Sequence, residues 1–187
     1  LKHIKPTVGT PIMMARANQL TSSTEIIKKI GECAVEFKYD GLRLQVHYRK
    51  GESFDFGRST ELSRSPQDKR RKGKGESEIR MFSRNLEDIT AMFPDIERAV
   101  REQIKADEVI FEGEIVAYNP QTGVHVAFQE TMQRKRKYDI EEKAVEIPVK
   151  LYAFELLYAD GKSFLEASYK ERKTRLKTVI DKGKTII

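Results

Sequence analysis

Lys38 lies in the run Val35-Glu36-Phe37-Lys38-Tyr39-Asp40-Gly41-Leu42-Arg43, at the end of an alternating apolar stretch and directly before a turn-forming Asp-Gly. That place offers an amine as nucleophile. A solvated lysine titrates at about 10.4 and attacks poorly at neutral pH, whereas desolvation and neighbouring cations lower that value enough for attack on phosphorus or carbon. Glu36 and Lys38 are two residues apart and share a face of an extended chain, and Arg43, past the turn, can come back toward them. Farther on, Glu112 and Glu114 share one face of a β-rich run, where carboxylates need a partner and a cation would provide one.

The elements that must position these groups follow from local pattern. Thr21-Ser22-Ser23 is a cap cluster for a helix over Glu25 to Ile30 that ends at Gly31. From Ala34 the apolar period becomes two, which predicts two adjacent antiparallel strands, one with Val35 and Phe37, the next with Leu42, Leu44, Val46 and Tyr48. Residues 52–78 are rich in Gly, Ser and charge, including Lys69-Arg70-Arg71-Lys72-Gly73-Lys74, and predict a flexible basic insertion. It would serve either as a solvated linker or as an arm that contacts phosphates without sequence preference.

A return strand is expected over Ile79 to Phe82, followed by Ser83-Arg84-Asn85, the stretch Leu86 to Met92, and an amphipathic helix from Pro94 to near Lys105. Val109 to Tyr118 reads as a strand closed by the turn Asn119-Pro120-Gln121-Thr122-Gly123. Val149 to Tyr158 is an apolar strand after Pro148, and Ser168-Tyr169-Lys170-Glu171 is a capping box that opens a last helix over Tyr169 to Ile180.

Composition sets looser bounds. The 187 residues suit one domain, and a net charge of +6 with a pI near 9.3 favours a polyanionic partner without establishing one. Cys33 is the single cysteine, which excludes an internal disulfide, and it is expected as a small buried residue near a helix end. His3, His47 and His125 show no metal-ligand spacing. Leu1 to Ala17 has no long apolar run, so the simplest expectation is an intracellular protein of the cytoplasm or nucleoid, or of the nucleus in a eukaryote, with no membrane association.

Taken alone, Lys-x-Asp-Gly is a weak pattern. Joined in order to Arg43, Ser83-Arg84-Asn85, Phe111-Glu112-Gly113-Glu114-Ile115-Val116 and Leu151-Tyr152-Ala153-Phe154-Glu155, it resembles the nucleotidyltransferase (adenylation) domain of ATP-dependent DNA ligases of the archaeal and eukaryotic type. The resemblance runs from Gly9-Thr10-Pro11-Ile12 to Lys173. Phe82-Ser83-Arg84-Asn85-Leu86-Glu87-Asp88 and Phe128-Gln129-Glu130-Thr131-Met132-Gln133-Arg134-Lys135-Arg136-Lys137 are close to that family and are not shared in this form by RNA capping enzymes.

The resemblance implies an α+β fold of mainly antiparallel sheets flanked by helices, the ATP-grasp-like fold of DNA ligases and mRNA capping nucleotidyltransferases, with an ATP pocket between the sheets. It implies that Lys38 attacks the α-phosphorus of ATP to give lysyl-AMP, that AMP passes to the 5′-phosphate of nicked DNA, and that a 3′-hydroxyl seals the nick. Glu36 matches the position that accepts from the adenine amino group, Phe154 the aromatic that stacks on the base, and Phe37 flanks the nucleotide. Arg43 and Arg84 match the arginines near ribose and phosphates, and Glu114 the carboxylate that contacts ribose and places Mg²⁺ or Mn²⁺. Glu112 stands where relatives often carry Asp. Arg134, Lys135, Arg136 and Lys137 are either a solvated helix face or a sequence-neutral contact to DNA phosphates.

Two departures from the family pattern are visible. The stretch Glu52 to Ser77 is longer than the turn many relatives have there, and the family's last two nucleotidyltransferase motifs have no counterpart before Ile187. Residues 1–187 are therefore expected to be an adenylation-domain fragment, incomplete at its C-terminus and not expected to seal nicks alone. Expected partners are nicked double-stranded DNA, an N-terminal DNA-binding domain and a C-terminal OB domain of the same protein, with a sliding clamp as a further candidate. The rival readings are an RNA ligase or capping-type nucleotidyltransferase, and a non-catalytic basic module that binds nucleic acid near residues 70 and 135.

Overall fold

The structure is a computed structural model that describes residues 5–15, 17–51, 77–134 and 138–187. Its elements are α1 (Ser23–Ile30), β1 (Leu42–Arg49), β2 (Glu78–Ser83), a short 3-10 turn at Thr90–Met92, α2 (Pro94–Gln103), β3 (Glu108–Ala117), α3 (Phe128–Met132), α4 (Ile140–Glu146), β4 (Val149–Ala159), β5 (Lys162–Ser163) and α5 (Tyr169–Val179). The described strands form one antiparallel sheet in the order β2-β1-β3-β4-β5. The α+β class with an antiparallel sheet flanked by helices is as expected, and among the described residues Arg43 and Glu114 lie on one face of this sheet.

Strand alternation divides the molecule. Leu44, Val46 and Tyr48 of β1 and Phe111 and Ile115 of β3 point to the face covered by helices, where they meet Phe93, Ile96 and Val100 around α2 and Leu176 and Val179 of α5. Burying each such aliphatic or aromatic side chain contributes about 1.5–3 kcal/mol, which makes this face the stabilising one. Pro94 occupies the first turn of α2, and Ser168 and Glu171 close the expected capping box on α5.

The opposite face carries Arg43, Gln45, His47, Glu112 and Glu114, in register as Arg43 opposite Glu114 and Gln45 opposite Glu112. The segment around Val8 to Ile12 lies over part of it, with Val8 packed against Ile110 and Leu157.

Four expectations fail in instructive ways. Residues 33–40 form no strand, and Val35 and Phe37 are 94% and 86% exposed. Both sides of β1 are taken by β2 and β3, so the expected place beside β1 is filled and the alternation of this segment buries nothing. Cys33 is exposed for the same reason, since it enters that uncovered segment. Glu78, placed at the end of the insertion, is the first residue of β2, while residues 52–76 lie outside the described residues.

Arg134 is the fourth correction. Its side chain is buried and is not a surface contact for DNA. Its guanidinium bonds Asp95 at 2.6 Å and the carbonyls of Lys143 and Ile147, and it lies 5.5 Å from the Phe93 ring centre. These partners offset the cost of desolvating the charge and tie the α3–α4 connection to α2. Lys135, Arg136 and Lys137 lie outside the described residues.

Candidate active site

Gly41 brings the lysine segment onto the sheet. A Cβ built on it would lie 2.0 Å from the Ile115 carbonyl oxygen, so only glycine lets the backbone approach β3 this closely. Its N–H then donates to Glu114 Oε1 at 3.2 Å. Tyr39 stacks on Tyr152 with ring centres 4.0 Å apart, and Tyr152 bonds the His125 ring at 2.7 Å. These contacts hold residues 37–40 in the lining of a cleft of about 560 Å³, together with Val116, His125, Phe128 and Tyr152.

Lys38 lines this cleft and is exposed to solvent. Glu114 gathers the charges around it. Burial raises the Glu114 carboxyl above its ordinary value, and the Gly41 N–H and the positive charges of Arg43, Lys38 and Arg84 act against that rise. Three cations from three different places in the chain thus lie within electrostatic reach of one carboxylate. Arg84 reaches the group from an exposed turn after β2, in which Leu86 takes a left-handed backbone (φ 64°) and Ser83 and Glu87 bond each other through backbone and side chains.

Arg43 is oriented more tightly. Its guanidinium pairs with Glu112 at 2.5 Å and lies 5.2 Å from the Phe154 ring centre, and its Nε is buried with no hydrogen-bond partner. Phe154 is the extra residue of a β-bulge, since Glu112 pairs with Glu155 and the next residue, Gly113, with Ala153. The Phe154 ring lies beside Arg43 and is half-buried. Gly113 permits that close pairing, because a Cβ there would strike the Tyr152 carbonyl oxygen at 2.7 Å.

Of the residues expected at the site, Lys38, Arg43, Arg84, Glu114 and Phe154 are brought together, and Phe37 stands exposed on the rim. Glu36 is held apart: Lys173 of α5 pairs with it at 2.5 Å and the Tyr169 hydroxyl donates to it at 2.9 Å. Sequence reasoning missed Gln45 and His47, which read only as polar members of a strand. It also missed Tyr39 and Tyr152, whose stacking depends on a chain path that no spacing encodes.

A family model described as "ATP dependent DNA ligase domain" matches residues 70–187, more than half of the chain. The chain belongs to the ATP-dependent DNA ligase domain family. It is 42% identical over 186 residues to the "Probable DNA ligase" of Dictyoglomus thermophilum, all of this chain against 28% of the relative. It is 40% identical to the DNA ligase of Pyrobaculum calidifontis, covering 98% of this chain and 27% of that protein. The chain therefore spans little more than a quarter of the length of these DNA ligases. The ligase domain of LigD from M. tuberculosis is 25% identical with a TM-score of 0.48, covering 76% of this chain and 35% of that one. Among the described residues no helix is long and apolar enough to cross a membrane.

Proposed function

We propose that this chain is the nucleotide-activating part of an ATP-dependent DNA ligase and that Lys38 is its nucleophile. The observation that carries the reading is the place of Lys38 on the wall of an open cleft, three residues before Gly41, whose N–H bonds Glu114, the residue directly opposite Arg43 in the ladder. In the first step the uncharged Lys38 amine forms a bond to the α-phosphorus of ATP, the bond to pyrophosphate breaks, and the amine proton leaves to solvent. Arg43 and Arg84 offset charge that builds on the phosphate oxygens, the Arg43 side chain remaining about 25% exposed while paired with Glu112. AMP then passes to a DNA 5′-phosphate as the phosphorus–nitrogen bond breaks, and attack by the 3′-hydroxyl releases AMP and seals the nick.

Phe154 offers a ring for the base. Glu36 can accept from the adenine amino group once it leaves Tyr169 and Lys173. Residues 1–187 act as an adenylation unit, with residues 52–77 as a basic insertion in it, and nicked DNA and DNA-binding and OB domains of the same protein complete the enzyme.

Among the described residues no group of three His, Cys, Asp or Glu side chains forms a metal cage. The donor set still fits Mg²⁺ or Mn²⁺, which takes one or two carboxylates together with substrate phosphates and waters, and Glu114 is the carboxylate to hold it because Glu112 is committed to Arg43. The ion supplies charge neutralisation at the phosphates.

The test is label transfer in the full-length protein. α-Labelled ATP is expected to mark the wild type and not Lys38→Ala. Label on the variant would sink the assignment.

A further inference from the structure

A buried chain of hydrogen bonds runs beneath the site and ends on the Arg43–Glu112 pair. The Gly9 N–H donates to His47 Nδ1 at 3.0 Å, and His47 Nε2 lies 2.9 Å from Gln45 Oε1. The Ile12 N–H donates to the same Oε1 at 2.8 Å. Gln45 Nε2 donates to the Ile12 carbonyl at 3.0 Å and to Glu112 Oε1 at 3.0 Å. Glu112 Oε2 accepts from Arg43 at 2.5 Å. Gln45 and His47 are both fully buried.

The orientation of the Gln45 amide is fixed by groups that have no choice. A backbone N–H can only donate and a backbone carbonyl can only accept, so Ile12 alone dictates which end of the amide is oxygen. Gly9 likewise forces His47 Nδ1 to accept, which leaves the proton on Nε2 facing Gln45 Oε1. Both acceptor sites and both donors of the amide are then used. Burial drives the His47 ring value down to about 3, so the ring stays neutral and keeps this polarity at ordinary pH.

We propose that Gln45 is a positioning residue: its amide holds the Glu112 carboxylate in the orientation that clamps Arg43, and the Gly9–His47–Ile12 frame holds the amide. The inference rests on the reading of Lys38 as nucleophile and of Arg43 as a phosphate or ribose ligand. Arg43 has Glu114 directly opposite it in the ladder, so without the amide its guanidinium has a second carboxylate to turn to and the cleft loses its unpaired one. A misplacement of this kind costs on the order of a hundredfold in rate.

The experiment is a double-mutant cycle in the full-length protein with Gln45→Met, Glu112→Gln and the pair. It measures Lys38 adenylation from α-labelled ATP at saturating ATP, per folded molecule, together with KM. Gln45→Met is expected to lower the rate about tenfold to a hundredfold with a smaller change in KM. The pair is expected to be no slower than the slower single variant. A Gln45→Met rate within about twofold of wild type, or losses that multiply in the pair, overturns the proposal. Should Gln45→Met fail to fold, the apolar Gln45→Leu takes its place with the same outcomes. A wild type that takes no label sinks the Lys38 reading and this inference with it, whereas a labelled wild type with an unaffected Gln45 variant removes only the role of Gln45.

Discussion

Arg43 stands directly across the β1–β3 ladder from Glu114, yet its guanidinium pairs with Glu112, one diagonal step away, at 2.5 Å. The consequence is a division of labour between two carboxylates on one strand face. Glu112 is spent on holding Arg43, and Glu114 keeps a carboxylate near three cations with the Gly41 N–H as its hydrogen-bond donor.

That division predicts a trade between stability and activity at Glu114. Its folded value is raised, chiefly by burial, so the ionised carboxylate costs the folded state stability at neutral pH. Glu114→Gln should raise the unfolding midpoint at pH 7 while lowering adenylation by at least about a hundredfold, the scale of a lost charge-stabilising group. The sign follows from linkage: the penalty is present above the folded value and fades as pH falls toward the unfolded one. Thermal melts at pH 7.5 and pH 4 should show the gap between variant and wild type closing in acid.

Arg134 makes a different kind of prediction. Arg134→Ala leaves Asp95 and two part-buried carbonyls without this donor and should cost about 3–5 kcal/mol, the range for breaking a buried ion pair. Urea denaturation checks this, and a loss below about 1 kcal/mol would return Arg134 to the surface role that a basic run suggests.

His47 is depressed to about 3 by burial, with Asp88 acting weakly the other way. The fold favours its neutral ring. The stability this gives is complete above pH 6.5 and is lost as pH falls from 6.5 toward 3. Nitrogen chemical shifts should report a neutral ring with the proton on Nε2 down to about pH 4, followed by acid unfolding. A ring that titrates near 6.5 in the folded protein would contradict the burial.

Glu36 is tethered at an exposed place, where an ion pair is worth about 0.2–1 kcal/mol. If Glu36 must be released to meet the base, Lys173→Ala should tighten the apparent KM for ATP by roughly twofold to fivefold, the same energy returned as population. A weaker KM would mean that Lys173 itself assists the nucleotide.

How much of this was legible in sequence divides along the type of information involved. α1, β1 through β4, α2 and α5 follow from periodicity, caps and turns, all of which act locally. Val35 to Lys38 misled because alternation cannot state whether a partner strand is free, and β1 has both neighbours filled. Arg134 misled because a charge run does not reveal that one of its members meets an aspartate on another helix. The grouping of Lys38, Arg43, Arg84 and Glu114 came through family resemblance. The bulge at Phe154 and the cross-strand hydrogen bond of the Gln45 amide are products of register, which no single strand contains.

The most direct measurement is the intact mass of the full-length protein after incubation with ATP and Mg²⁺, with the modified peptide sequenced. The account predicts a gain of one adenylate on Lys38 that pyrophosphate reverses. An adenylate found on another residue, or its formation undiminished in Lys38→Ala, would contradict it.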